Sequence, residues 1–315
     1  MRAWLRLSLV FSIAGLLASR IGLLVHEFIG HGGMAYVLGG KVPEWRLFLF
    51  GGGWIRYNRN PWYSTGQEIT IALAGCGSEL IFAALVWLVS RRLEGVPRAM
   101  ARIVAMLLWA HVCVYISTGT HYGYGDGTKL HELLSPLLRH VLVVGLSLVM
   151  ALLAYALAKQ ALLLAALLEL GNGLRRIALA AAAVMLATIV HSSLYYGERA
   201  IIDPDQTYEA MMQREVERRA ATYAALLAKQ ERNAGQTWTV QQEVKAKEAY
   251  VEKHEPWPLR PLLVLLGALA SALACWRFRR TESQKLIAWR LSVIRGPSIA
   301  LALTFLAIVI IDAFG

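Results

Sequence analysis

The chain has 315 residues, a net charge of +11 and a mean hydropathy of +0.48; 57% of its residues are hydrophobic and only 17% charged. A soluble domain carries about a quarter of its residues as charges, so this balance excludes an ordinary soluble enzyme and points to a bilayer. The positive charge does not indicate nucleic acid, because no basic stripe carries interleaved aromatics and membrane proteins collect Lys and Arg in cytoplasmic loops.

A bilayer core of about 30 Å takes about 20 apolar residues per helix. Seven stretches meet or approach this: 7–38, 67–90, 101–118, 138–158, 176–196, 259–276 and 296–313. The predicted fold class is all-α, a polytopic transmembrane helical bundle of about seven spans with a small β-hairpin and an extramembrane helical hairpin. Residues 160–170 read as an extension of the fourth helix or a re-entrant piece. The opening MRAWLR imitates a signal peptide, but the apolar run continues past it without a small-residue cleavage site.

The first span ends on His26-Glu27-Phe28-Ile29-Gly30-His31. Ionisable groups in a membrane helix are costly and are functional candidates by default. Two His ligands and a Glu base form the working kit of zinc hydrolases. Segment 40–60 has short apolar and aromatic runs around Gly51-Gly52-Gly53, the texture of a glycine-turned β-hairpin. After the third span comes His121-Tyr122-Gly123-Tyr124-Gly125-Asp126-Gly127, where glycines permit a tight turn and Asp126 is placed to complete a coordination set. His121, close by in sequence, is an alternative ligand.

Segment 197–258 is polar. An amphipathic helix runs to a break at Asn233-Ala234-Gly235, and a second helix over about 239–254 ends before Pro256 and Pro258. Basic residues cluster before the first span (Arg2, Arg6), at Arg91–Arg102, at Lys159–Arg176 and at Arg277–Arg295. With alternating spans all four clusters share one side, which predicts a cytoplasmic N-terminus and an extracytoplasmic 197–258. The domain reading is a membrane core with the metal site over 1–196, the extracytoplasmic helical segment 197–258 and a C-terminal transmembrane pair over 259–315. Cys76, Cys113 and Cys275 show no disulfide or zinc-finger spacing and are assigned to packing. His111 and His191 read as core histidines, and His140 and His254 as interface or surface residues.

HEFIGHGGMAYVLGG, IALAGCGSELIFAAL and GYGDG together resemble three elements of the site-2 protease family of intramembrane zinc metalloproteases. Those elements are HExxH on one membrane helix, a second helix with a Gly-Pro…Asn motif, and a later Asp-Gly. The resemblance covers about residues 20–130. It implies Zn2+ as cofactor, His26, His31 and Asp126 as ligands, Glu27 as general base, and a membrane protein or peptide as substrate. Here the second His follows the first by five residues rather than four, Cys76 stands where Pro is usual, and Glu79 where Asn is usual. In an ideal α-helix, positions five apart lie roughly 140° apart around the axis. The spacing therefore predicts a π-bulge or a break between Phe28 and Gly33 that turns both rings toward Asp126. Arg20 and Glu79, at comparable depth in neighbouring spans, are expected to pair. The leading functional expectation is an intramembrane zinc metalloprotease. The alternatives are a non-proteolytic scaffold or partner-binding subunit of the same fold and, ranked last because it needs several histidine boxes, an iron-dependent lipid hydroxylase.

Overall fold

The computed structural model describes residues 3–58, 63–171, 173–202, 208–233, 237–254 and 259–278. The expected span 296–313 lies outside them. Helix α1 (Ala3–Leu24) passes without a break into a π-helical segment (Val25–Gly32) and then α2 (Gly33–Val37). Strands β1 (Glu44–Leu47) and β2 (Gly53–Arg56) form the expected hairpin, antiparallel, with Trp45 opposite Ile55. Helix α3 (Thr65–Ser90) starts on a capping box between Ser64 and Gln67, which satisfies amides a helix start leaves unpaired.

Helix α4 (Gly95–Tyr122) ends at Gly123, which takes the left-handed conformation (φ 73°) that glycine adopts without penalty. The chain then turns through the short 3-10 segment Gly125–Gly127 into α5 (Thr128–Leu133). Helix α6 (Pro136–Leu167) starts with Ser135 as cap and Pro136 in its first turn, and it runs continuously through most of 160–170. Helix α7 (Gly173–Ile202) follows. Among the described residues, five helices are long and apolar enough to cross a membrane: Ala3–Val37 and α3, α4, α6 and α7. Helix α10 (Leu259–Phe278) is apolar over the shorter stretch Leu262–Arg277.

The core lies where α1, α4, α6 and α7 meet, built on Leu7, Val10, Ala14, Ile103, Met106, Leu164, Ala165 and Ala183. The outer face of α6 does the opposite: Leu137, Val141, Val144, Leu148 and Leu152 form one exposed apolar stripe. Lipid tails cover such a face at no desolvation cost, and the helix satisfies its own backbone. Helices α8 (Tyr208–Asn233) and α9 (Val240–His254) pack together as a polar helical pair, with Ala220, Ala224, Ala228 and Ala246 in the seam and Tyr223 against Tyr250, ring centroids 5.3 Å apart.

Because the membrane helices alternate in direction, the end of the π-helix, the hairpin, the Gly125–Gly127 turn and the end of α7 share one end of the bundle. Arg6, Arg91, Arg98, Arg175 and Arg176 belong to the other end.

Candidate metal centre

A π-helix closes i→i+5 hydrogen bonds and takes more residues per turn than an α-helix, so positions five apart fall on one face. His26 and His31 consequently meet: their Nε2 atoms are 3.2 Å apart. The turn after α4 brings Asp126 between them, with Oδ2 3.1 Å from His26 Nε2 and Oδ1 3.2 Å from His31 Nε2. A tetrahedral zinc with bonds of about 2.0–2.1 Å separates its ligand atoms by roughly 3.3 Å. The His26–His31 separation, and the distance from each Nε2 to its nearer Asp126 oxygen, are within a few tenths of an ångström of that.

The other nitrogen of each ring is also engaged. His31 Nδ1 donates to the Ile71 carbonyl at 2.7 Å, so a neutral ring presents Nε2 as a lone pair and a protonated ring presents it as a second N–H. His26 Nδ1 faces Glu79 Oε2 at 3.3 Å. A carboxylate or carbonyl behind each histidine is the usual support of a metal-ligating ring.

Ile71, Gly75 and Glu79 are four residues apart, so they form one stripe of α3 facing the π-helix. Gly75 lies beneath the two rings: a Cβ there would stand 2.6 Å from His31 Nε2 and 2.7 Å from His26 Nε2. Gly30, across the helix crossing, meets Gly75 backbone to backbone, and its own Cβ would stand 2.7 Å from the Ala74 carbonyl oxygen. The chain has removed side-chain atoms at the two points where they would fill or block the cradle. The donors gathered here are of types and at separations that could hold a metal ion.

Glu27 is buried beside the two histidines, and the backbone N–H of Ile55 on β2 donates to it. Tyr115 packs edge-on against His26 at 5.7 Å and stacks on His111. Asp126 lies outside the candidate spans. Burial alone pushes its carboxyl up, but the hydrogen bonds from His26 and His31 outweigh this and hold it at about 2.

The hairpin tip is tied down by ions. The Glu198 carboxylate accepts from the amides of Leu49 (2.8 Å), Phe50 (2.5 Å) and Gly51 (2.8 Å). Arg20 donates to the carbonyls of Phe48 and Phe50 at 2.8 Å each, and Arg199 donates to that of Gly51. A cavity of about 840 Å³ runs from His26 and Glu27 past Arg20 and Gly52 to the Ala-lined interior at Ala161 and Ala180.

Several sequence expectations need correcting. Arg20 does not pair with Glu79: it spends its guanidinium on the hairpin carbonyls and Ser19, while Glu79 pairs with His26 and with His111 Nδ1 at 2.9 Å. Depth along the helices was matched, but the two side chains face different neighbours. His121 packs against Tyr122, ring centroids 4.7 Å apart, and is not among the donors gathered at His26. His111 is an exposed group linked to the site through Glu79, not a core residue. Cys76 is not only packing: it lies with His26 and Asp126 in one donor group whose ligand atoms are all within 4.8 Å of one another. Sequence reasoning missed Gly75, Tyr115 and Glu198. A visible signal existed for Gly75, since Ile71, Gly75 and Glu79 keep a four-residue spacing. No family model, curated protein or solved structure matches the chain.

Proposed function

We propose that this protein is a membrane-embedded zinc metalloprotease that cuts a peptide bond in or beside a transmembrane segment of a membrane protein or peptide. The observation that carries this reading is the π-helical turn, which joins His26 and His31 to Asp126 with Glu27 buried alongside. His26, His31 and Asp126 hold the ion, which supplies Lewis acidity and makes water nucleophilic near neutral pH.

Glu27 takes a proton from the attacking water and returns it to the leaving amine. Glu79 and the Ile71 carbonyl keep the two imidazoles aimed. The hairpin gives an unwound stretch of substrate a strand to pair with, which exposes the backbone that a helix conceals. Its anchoring by Glu198, Arg20 and Arg199 keeps β2 in register with Glu27. We place the N-terminus in the cytoplasm and 197–258 outside it, from the segregation of the basic residues. Labelling of a Gln230→Cys variant in intact cells, without permeabilisation, is the expected result.

The test of the function is elemental analysis of detergent-purified protein together with a Glu27→Gln variant assayed on reporter transmembrane peptides. The expected result is stoichiometric zinc in both proteins and cleavage only by the wild type. Cleavage retained by Glu27→Gln would exclude the proton-transfer role.

A further inference from the structure

The His26–Asp126 edge is bordered by two further donors. His31 is on it at 3.2 Å from each. Cys76 is on it too, with Sγ 3.7 Å from Asp126 Oδ2 and its ligand atom within 4.8 Å of that of His26. With metal–sulfur bonds of about 2.3 Å and metal–oxygen bonds of about 2.0–2.2 Å, a tetrahedral ion separates the two ligand atoms by roughly 3.6 Å. The Cys76–Asp126 separation is already of that length, and the sulfur has at most about 1 Å to travel toward His26.

The position follows from the helix. Gly75 sets the α3 backbone directly under the two rings, and Cys76 is the next residue. The side chain is buried, 4% exposed, and none of the three cysteines is in a disulfide. Among the described residues, Cys76 is the one thiol in a donor cluster.

We propose that Cys76 is the fourth ligand of the ion held by His26, His31 and Asp126, so that the resting site is closed to water by the protein's own thiolate. The proposal rests on the metal reading above and adds its regulation. Sites with four protein ligands are structural or silent, whereas catalytic sites keep one position open. When the ion is bound, Cys76 would be held to it as the thiolate, its proton given up to solvent, and a sulfur displaced from it would take a proton back.

The experiment replaces the native ion with cobalt(II) in full-length detergent-solubilised protein and records the near-ultraviolet absorption. Wild-type protein and the near-isosteric Cys76→Ser variant are compared, both in a Cys113→Ala, Cys275→Ala background. The expected result is a thiolate-to-cobalt charge-transfer band in the former and its complete loss in the latter, with equal cobalt bound. Cys76 should also resist alkylation in the loaded protein and become reactive on chelation. Bound cobalt without the band, or equal alkylation of loaded and chelated protein, overturns the Cys76 proposal and leaves the three-ligand site standing. Failure to bind cobalt, or binding unaffected by His26→Ala and His31→Ala, overturns the metal reading itself.

Discussion

His26 and His31 are five residues apart in sequence, and their Nε2 atoms are 3.2 Å apart in space, because the helix between them is wound with i→i+5 bonds. The contact has a counterpart on α3, where Gly75 leaves room for both rings. Gly75→Ala should therefore act on the metal before it acts on the fold. A methyl group 2.6–2.7 Å from both Nε2 atoms forces the rings apart, and overpacking of this kind costs about 1–3 kcal/mol. We expect loss of stoichiometric metal by elemental analysis and a smaller fall in thermal stability. Gly77→Ala, at a glycine with open space around it, should leave both unchanged.

Glu79 stands behind His26 and receives His111 on its other oxygen. Removing such a support typically costs about 10- to 100-fold in metal affinity. Glu79→Ala should show this loss in a competitive chelator titration. His111→Ala should show a smaller one, because the Glu79–His26 contact survives it. Equal affinities for wild type and Glu79→Ala would show that the carboxylate does not orient the ring.

The three amides that converge on Glu198 predict a local signature. Glu198→Ala leaves those donors without their acceptor, at about 1–3 kcal/mol for each amide that water does not reach. Hydrogen exchange at Leu49, Phe50 and Gly51 should accelerate by orders of magnitude, while amides in the middle of α4 keep wild-type protection. Unchanged exchange at the hairpin tip would refute the anchoring role.

Asp126 gives a pH prediction for the metal-free protein. Its carboxyl is held at about 2 in the fold, below its usual 3.8. A depressed folded-state value contributes stability that is complete above the unfolded value and is lost as pH falls through the folded one. The stability difference between wild type and Asp126→Asn should therefore shrink toward zero as the pH falls from about 5 to about 2. A difference that grows on acidification contradicts the assignment.

The parts of the molecule legible in the sequence are those set by local periodicity. The long apolar runs became α1, α3, α4, α6 and α7, Gly51 and Gly52 fell in the hairpin turn with Gly53 opening β2, and α8 ended at Asn233. The distortion was legible in part: the five-residue spacing of the two histidines called for a π-bulge or a break between Phe28 and Gly33, and the chain forms a π-helix over Val25–Gly32. The side-chain partners were not. Arg20 and Glu79 share a depth, but depth does not fix rotation about the helix axis, and rotation sends one to the hairpin and the other to His26. Glu198 was illegible for a related reason: its partners are 147–149 residues away and are backbone amides, which leave no trace in residue identity.

The tie between the hairpin tip and the last turns of α7 has a mechanical consequence. Helix α7 ends at Ile202, about one turn beyond Glu198 and Arg199. A displacement of the end of α7 is thus delivered to Leu49–Gly51, along β2, and through the Ile55 amide to Glu27. A force applied at the end of α7 therefore reaches the buried Glu27 carboxylate without any contact at His26 or His31.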